Sequence, residues 1–249
     1  MPMEIHRLHI LLRPFRLWMA LVAVALLGAC ATGPRANPND PFEPFNRSMW
    51  SFNEKLDEYV LKPVATTYKE VVPTLARRGV NNFFANLQDG WTFVNAVLQL
   101  KPEAAAESLL RFEVNTVFGL LGLIDVASEL NIERHKEDFG RTLGRWGVPS
   151  GPYLVLPFFG PSTVRDLASI SVNSAGDPVL HMRPIALRNS LYAGRLVDVL
   201  ARLLGATSVL EDAALDKYSF TRDVFMQVRR RQDFGDTPDD EAPAEPAPQ

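Results

Sequence analysis

Apolar and aromatic side chains recur along most of this chain at spacings of three and four, and prolines interrupt the recurrence. Phe45, Met49, Phe52, Leu56, Tyr59 and Val60 form one stripe, with Arg47, Glu54, Lys55, Asp57 and Glu58 off it. Val80, Phe83, Phe84, Leu87, Trp91, Val94 and Leu98 form a second, closed by Lys101-Pro102. Residues so spaced meet on one face of a helix, so the pattern predicts amphipathic helices rather than strands. Pro63 and Pro73 lack the amide donor that a helix interior uses, and are expected to cut the first region into short pieces. Further helices are expected near 102–118, 135–146, 163–173, 185–204 and 219–231. Only 153–159 is a short apolar run bounded by proline and glycine, as a strand would be. The expected fold class is all-α.

The N-terminus follows a different logic. Arg7, Arg13 and Arg16 precede LWMALVAVALL, an uninterrupted apolar run of eleven residues at 17–27. A helix that crosses a bilayer needs about 20 such residues, so this run reads as the apolar core of a secretory signal. It ends in Leu27-Gly28-Ala29-Cys30, which resembles the bacterial lipobox: an aliphatic residue, two small ones that let a peptidase reach the backbone, then cysteine. The thiol is the group that becomes a thioether to diacylglycerol. The alternative is a plain signal peptide with an incidental cysteine. Against it, the chain's only cysteine sits where the pattern requires it. Two or more acyl chains give stable anchoring, each buried CH₂ contributing roughly 0.8 kcal/mol. Ala31 in place of aspartate favours sorting to the outer membrane.

These signals divide the chain into a signal peptide at 1–29, a tether at 30–41, a helical body at 42–232 and a tail at 233–249. The tether, ATGPRANPNDP after the cysteine, has no apolar period. The tail carries six acidic residues and four prolines. It offers too little apolar surface to offset the entropy of ordering, so it is expected to be disordered.

Two segments stand out within the body. Residues 114–127, VNTVFGLLGLIDVA, are nearly all apolar. They read either as a buried core helix or helical hairpin tip, or as a segment touching lipid tails through Val117, Phe118, Leu120, Leu121, Leu123 and Ile124. Residues 147–163 hold four prolines and three glycines around an apolar centre, which predicts a rigid irregular loop.

No chemistry-bearing motif emerges. Behind the signal only His135 and His181 remain, 46 residues apart, with no HExxH and no second cysteine, so no metal site and no cofactor are expected. GxSxG, GxxxxGK[ST] and GxGxxG are all missing, and no catalytic residue is assigned. Glu133, Glu137 and Asp138 beside His135 fit a charged helix N-terminus. A net charge of −3 gives no basic surplus for nucleic acid. Binding, passage or assembly remains.

Several motifs in order resemble the VacJ/MlaA family of outer-membrane lipoproteins. The likeness opens at Asp40-Pro41-Phe42-Glu43-Pro44-Phe45-Asn46-Arg47 and runs through Tyr59-Val60-Leu61-Lys62-Pro63-Val64-Ala65. It returns at Asn81-Asn82-Phe83-Phe84-Ala85-Asn86-Leu87 and Arg111-Phe112, Asn115-Thr116. It continues at Phe139-Gly140-Arg141-Thr142-Leu143-Gly144, Gly151-Pro152-Tyr153-Leu154-Val155-Leu156-Pro157 and Gly160-Pro161-Ser162-Thr163-Val164-Arg165-Asp166, and ends at Leu215-Asp216-Lys217-Tyr218-Ser219-Phe220. It covers about 40–232 and is weak between Val179 and Thr207. The resemblance implies a ring-like set of amphipathic helices in the inner leaflet of the outer membrane, around an amphipathic channel. It implies removal of mislocalised phospholipid from the outer leaflet, delivery to a periplasmic carrier, and a place beside trimeric porins. Asn46, Arg47, Asn53 and Asn115 could contact head groups, or could cap helices and satisfy buried backbone. A structural lipoprotein that scaffolds envelope proteins, and a phospholipase at the same membrane, are the competing readings.

Overall fold

The computed structural model describes residues 40–213 and 216–234, with side chains through 204 in the first stretch and through 232 in the second. Cys30, the signal segment, and most of the tether and tail lie outside the described residues. The framework is helical, as the periodicity predicts, with one two-stranded exception.

Helix α1 (Glu43–Leu56) passes without a break through a π-helical turn at Asp57–Leu61 into α2 (Lys62–Val71). Pro63 therefore does not cut the helix, contrary to expectation. A proline removes one N–H and crowds the carbonyl four residues back. Here the turn just before it is widened, with the Lys62 N–H donating to the Asp57 carbonyl, which gives the ring room. Pro73 does end the run: Val72 is extended at φ −89°, ψ 121°, the conformation that a following proline imposes.

Helix α3 (Thr74–Leu98) and α4 (Pro102–Val117) form an antiparallel pair that packs closely through Ala96, Ala104 and Ala105, with Phe93 against them. A one-turn helix α5 (Val126–Glu129) and an irregular segment at 131–138 lead to α6 (Phe139–Arg145). The helix expected from His135 thus starts four residues later. Its start is set by Asp138, whose side chain caps the Arg141 N–H at 2.9 Å.

The proline-rich segment folds into an antiparallel hairpin, β1 (Tyr153–Leu156) with β2 (Gly160–Thr163), in the register Tyr153↔Thr163 to Leu156↔Gly160. The strand expected within 153–159 is β1, and the segment expected to form an irregular loop around it supplies β2, with α1 covering the open edge of the hairpin. Asn46 accepts from the Val155 N–H at 2.9 Å and donates to the Tyr153 carbonyl at 3.1 Å. Asn53, two turns on, does the same for the Phe158 N–H and the Leu156 carbonyl at 2.8 and 2.9 Å. Two asparagine amides stand in for the missing neighbouring strand.

Helix α7 (Val164–Ala175), capped by the Thr163 hydroxyl at 3.1 Å, a 3-10 turn at Pro178–His181, α8 (Ile185–Ala213) and α9 (Lys217–Phe234) complete the order. Helix α8 packs along α2, where Ala65 is fully buried and the Tyr68 hydroxyl reaches Asp198 at 3.2 Å. Helix α9 ties the two ends of the body together. Tyr218 and Arg222 converge on buried Asp40, and Arg229 bridges Asp166 at 2.9 Å and Asp138 at 3.5 Å.

Candidate functional site: an apolar tip over a polar interior

The inside and outside of this fold are exchanged relative to an ordinary helical domain. Among the described residues, the buried apolar side chains apart from Tyr153, Val155, Val179 and Tyr218 are alanines. The buried face of α3 carries Asn86, Asp89, Thr92 and Asn95, with buried Gln99 at its C-cap, and that of α4 carries Ser108, Arg111 and Asn115. Large apolar side chains point outward instead: Phe52, Tyr59 and Val60 early in the chain, Val94, Val97 and Leu98 on α3, and Phe220, Val224 and Val228 on α9. Buried polar groups cost free energy unless they are paired, and large exposed apolar patches are rare on proteins that meet only water.

The densest exposed group is the turn after α4. Val117, Phe118, Leu120, Leu121, Leu123 and Ile124 are all exposed, Leu121 at 69 % and Phe118 at 71 %. The segment 114–127 is neither one helix nor buried. Its helix stops at Val117, and Leu120, Leu121 and Gly122 take positive φ of 52°, 58° and 89°. A leucine in that region is strained by about 1–3 kcal/mol, and such strain persists only when the surroundings fix it. The backbone is fixed from below. The Leu121, Gly122 and Ile124 amides donate to the Thr116, Asn115 and Gly119 carbonyls at 3.0, 2.8 and 2.9 Å. Asn82 holds the Leu123 carbonyl at 3.2 Å. At Gly119 a β-carbon would stand 2.1 Å from the Ile124 carbonyl oxygen, so only glycine fits. Polar backbone is turned inward and apolar side chains outward.

An ionic cluster, with Arg111 and Asp89 buried and Asp125 and Arg134 half-buried, seats the tip. Arg111, 1 % exposed, donates to Asp125 at 2.7 Å, to the Ser128 hydroxyl at 3.0 Å and to the Ile132 carbonyl. Asp89 lies 3.1 Å from Arg134 and 3.6 Å from Arg111. Asn115 donates to Asp125 at 3.1 Å and accepts from the Ala127 N–H at 2.8 Å. Burial pushes the Asp89 carboxyl up to about 6, against the pull of Arg134 and Arg111. Burial acts on Asp125 in the same sense but is outweighed by Ser128, Arg134, Arg111 and Asn115, so its carboxyl stays below the ordinary value.

The four motif polars all find partners within the chain. Asn46 and Asn53 serve the hairpin, and Asn115 serves the tip. Arg47 binds Asp216 at 2.8 Å and Glu43 at 2.8 Å and lies 4.4 Å over the Tyr218 ring. The Arg47 guanidinium holds the Asp216 carboxyl well below the usual carboxylate range.

One feature escaped the sequence altogether. A cavity of about 420 Å³ opens between α3, α7 and α8. Leu87, Ile170 and Phe159 give it an apolar wall, and Asn173, Asp177 and Arg195 a polar one. Arg195 pairs with Asp177 and lies 5.7 Å from the Phe84 ring centroid. No periodicity marks these residues; the fold gathers them.

The sequence model of the family described as MlaA lipoprotein matches residues 38–232. The chain is 34% identical over 227 residues to the intermembrane phospholipid transport system lipoprotein MlaA of Escherichia coli (strain K12), covering 87% of this chain and 86% of that one. It is 36% identical over 223 residues to the protein so described in Haemophilus influenzae, with 83% and 85% covered. A solved structure concerned with the structural basis for maintenance of bacterial outer membrane lipid asymmetry superposes with a TM-score of 0.64 at 35% identity, covering 78% of this chain and 98% of that chain. With a family match across nearly the whole body and relatives above 30% identity over most of their length, the chain belongs to the MlaA lipoprotein family.

Proposed function

We propose that this chain is an outer-membrane lipoprotein, acylated at Cys30, that removes mislocalised phospholipid from the outer leaflet and hands it to a periplasmic carrier. The observation that carries this reading is the exchange of polarity: alanines and polar side chains inside, large apolar side chains outside. A protein with lipid around its rim is stable in that arrangement, because the rim buries in hydrocarbon while every backbone group is bonded internally. Among the described residues no helix is long and apolar enough to cross a membrane, which fits a body lying in one leaflet, ring-like around an amphipathic channel.

A phospholipid needs an apolar wall for its tails and polar contacts for its head group, and the cavity lined by Phe159, Ile170, Asn173 and Arg195 offers both. The chain has no nucleotide-binding motif. It therefore lowers a barrier, and direction comes from a carrier that binds the lipid downstream. A trimeric porin beside the apolar rim would complete the assembly.

The test is an outer-leaflet phospholipid assay in cells lacking the gene, complemented by wild type and by Cys30→Ala. Surface phospholipid rises in the deletion and falls only with the acylated form. An unchanged level in the deletion refutes the proposal, and unchanged lipid with altered partner assembly would favour a scaffolding lipoprotein.

A further inference from the structure

We propose that Glu107, Glu133 and His135 form a binding site for one divalent transition-metal ion, with zinc the ion their chemistry fits. Sequence spacing offers no such motif, because Glu107 stands on α4 and the other two on the irregular segment beyond α5. The fold brings one imidazole nitrogen and two carboxylate oxygens within 4.8 Å of one another. His135 Nε2 and Glu107 Oε2 already lie in hydrogen-bond contact at 2.5 Å.

The placement follows from an alternation along the chain. Arg134 turns inward to Asp89 and Asp125, at 3.1 and 3.5 Å, so its two neighbours, Glu133 and His135, share the opposite side, toward Glu107. The segment is pinned on both flanks, by Arg111 on the Ile132 carbonyl and by Lys101 and Arg141 on Glu137 at 3.0 and 3.2 Å. Ligands on a backbone held by other contacts need little reorganisation to bind. Glu107 and His135 are partly buried and Glu133 is exposed, which leaves a coordination position open to water.

A nitrogen donor with two carboxylates suits zinc, whose bonds to such ligands are about 2.0–2.2 Å. Calcium and magnesium prefer all-oxygen shells. On binding, the metal takes the place of the hydrogen between His135 Nε2 and Glu107, the imidazole serving as the neutral Nδ1–H tautomer, and the Glu133 carboxylate closes on the ion. The ion then staples the 131–138 segment to α4 beneath the apolar tip. This proposal does not depend on the transport reading.

The test titrates zinc chloride into the full acylated protein in detergent, stripped with chelator and purified on a histidine-free tag. Calorimetry is expected to give one zinc per chain, with a rise in Tm that chelator reverses. Glu133→Gln, whose carboxylate lies outside the His135–Glu107 pair, lowers the affinity more than about tenfold, as do Glu107→Gln and His135→Ala. Cobalt in place of zinc gives a visible absorption band that the same variants abolish. Absence of stoichiometric binding, or affinity unchanged in Glu133→Gln and His135→Ala, overturns the site. Equal binding of calcium at the same three residues overturns the assignment to zinc.

Discussion

The turn at 118–124 and the cluster of Asp89, Arg111, Asp125 and Arg134 beneath it are adjacent yet built from opposite materials. The turn presents leucines to the outside, while the cluster buries Arg111 and Asp89 and half-buries Asp125 and Arg134. In a protein surrounded by water the positions would be reversed. What the pair teaches is that the tip is apolar only at its surface: its backbone amides bond to carbonyls of α4 and of the turn itself, and Asn115, whose side chain reaches Asp125, links the turn to the charges below.

The strongest way to break this relation is to remove its central cation. Arg111→Met leaves Asp89 and Asp125 short of a partner in a buried setting, and is expected to cost about 3–5 kcal/mol of stability. Denaturant unfolding of the detergent-solubilised protein reads this directly. A loss below about 1 kcal/mol would mean that the cluster does not hold the fold.

The complementary change acts on the tip alone. Leu120→Asp should leave stability within about 0.5 kcal/mol, since the side chain touches little of the fold. In a Cys30→Ala background, which removes the proposed acylation site, it should lower partition into phospholipid vesicles by roughly tenfold or more, the equivalent of about 1.5–3 kcal/mol of leucine burial. In the acylated protein Leu120→Asp or Leu123→Asp should impair lipid transfer without preventing outer-membrane targeting. A variant that binds vesicles as wild type does would separate the tip from membrane contact.

A third substitution asks whether the motif asparagines are structural. Asn46→Ala strands the Val155 N–H and the Tyr153 carbonyl, both buried, at a cost of about 1–3 kcal/mol. Vesicle binding by the folded fraction stays unchanged if the amide serves the hairpin, and drops if it meets lipid.

The smallest effect is one of pH. The folded Asp89 carboxyl, near 6, lies above its unfolded value of about 3.8, so the folded state takes up the extra proton between those limits. Its contribution to stability is therefore full below about 4 and is lost as pH rises through about 6. Asp89→Asn removes that slope from the pH dependence of Tm. An unaltered slope assigns it to another group.

Much of this was legible in the sequence, for identifiable reasons. The helices follow a 3.6-residue period that needs no tertiary information, and the excess of apolar residues at 114–127 marks the tip. Its geometry was not legible, because the positive φ of Leu120 and Leu121 depends on Asn82 and Asn115 in other turns of the chain. Pro63 misled because a π-helical turn absorbs it. The first strand of the 153–163 hairpin is legible as an apolar run, but its partner at 160–163 reads as loop until two α1 asparagines are seen to cover the hairpin's edge. The wall formed by Asn173, Asp177 and Arg195 has no local signature, since its members meet only when α3, α7 and α8 pack.

The claim on which the rest depends is that the apolar tip faces lipid. In the acylated form proposed above the Cys30 sulfur is a thioether, so a nitroxide label reacts there with Leu121→Cys alone. With this protein reconstituted in phospholipid vesicles, power-saturation spectroscopy compares collisions with oxygen, which concentrates in hydrocarbon, and with a water-soluble nickel chelate. The account predicts strong relaxation by oxygen and little by the chelate. The reverse ratio would place Leu121 in water and contradict it.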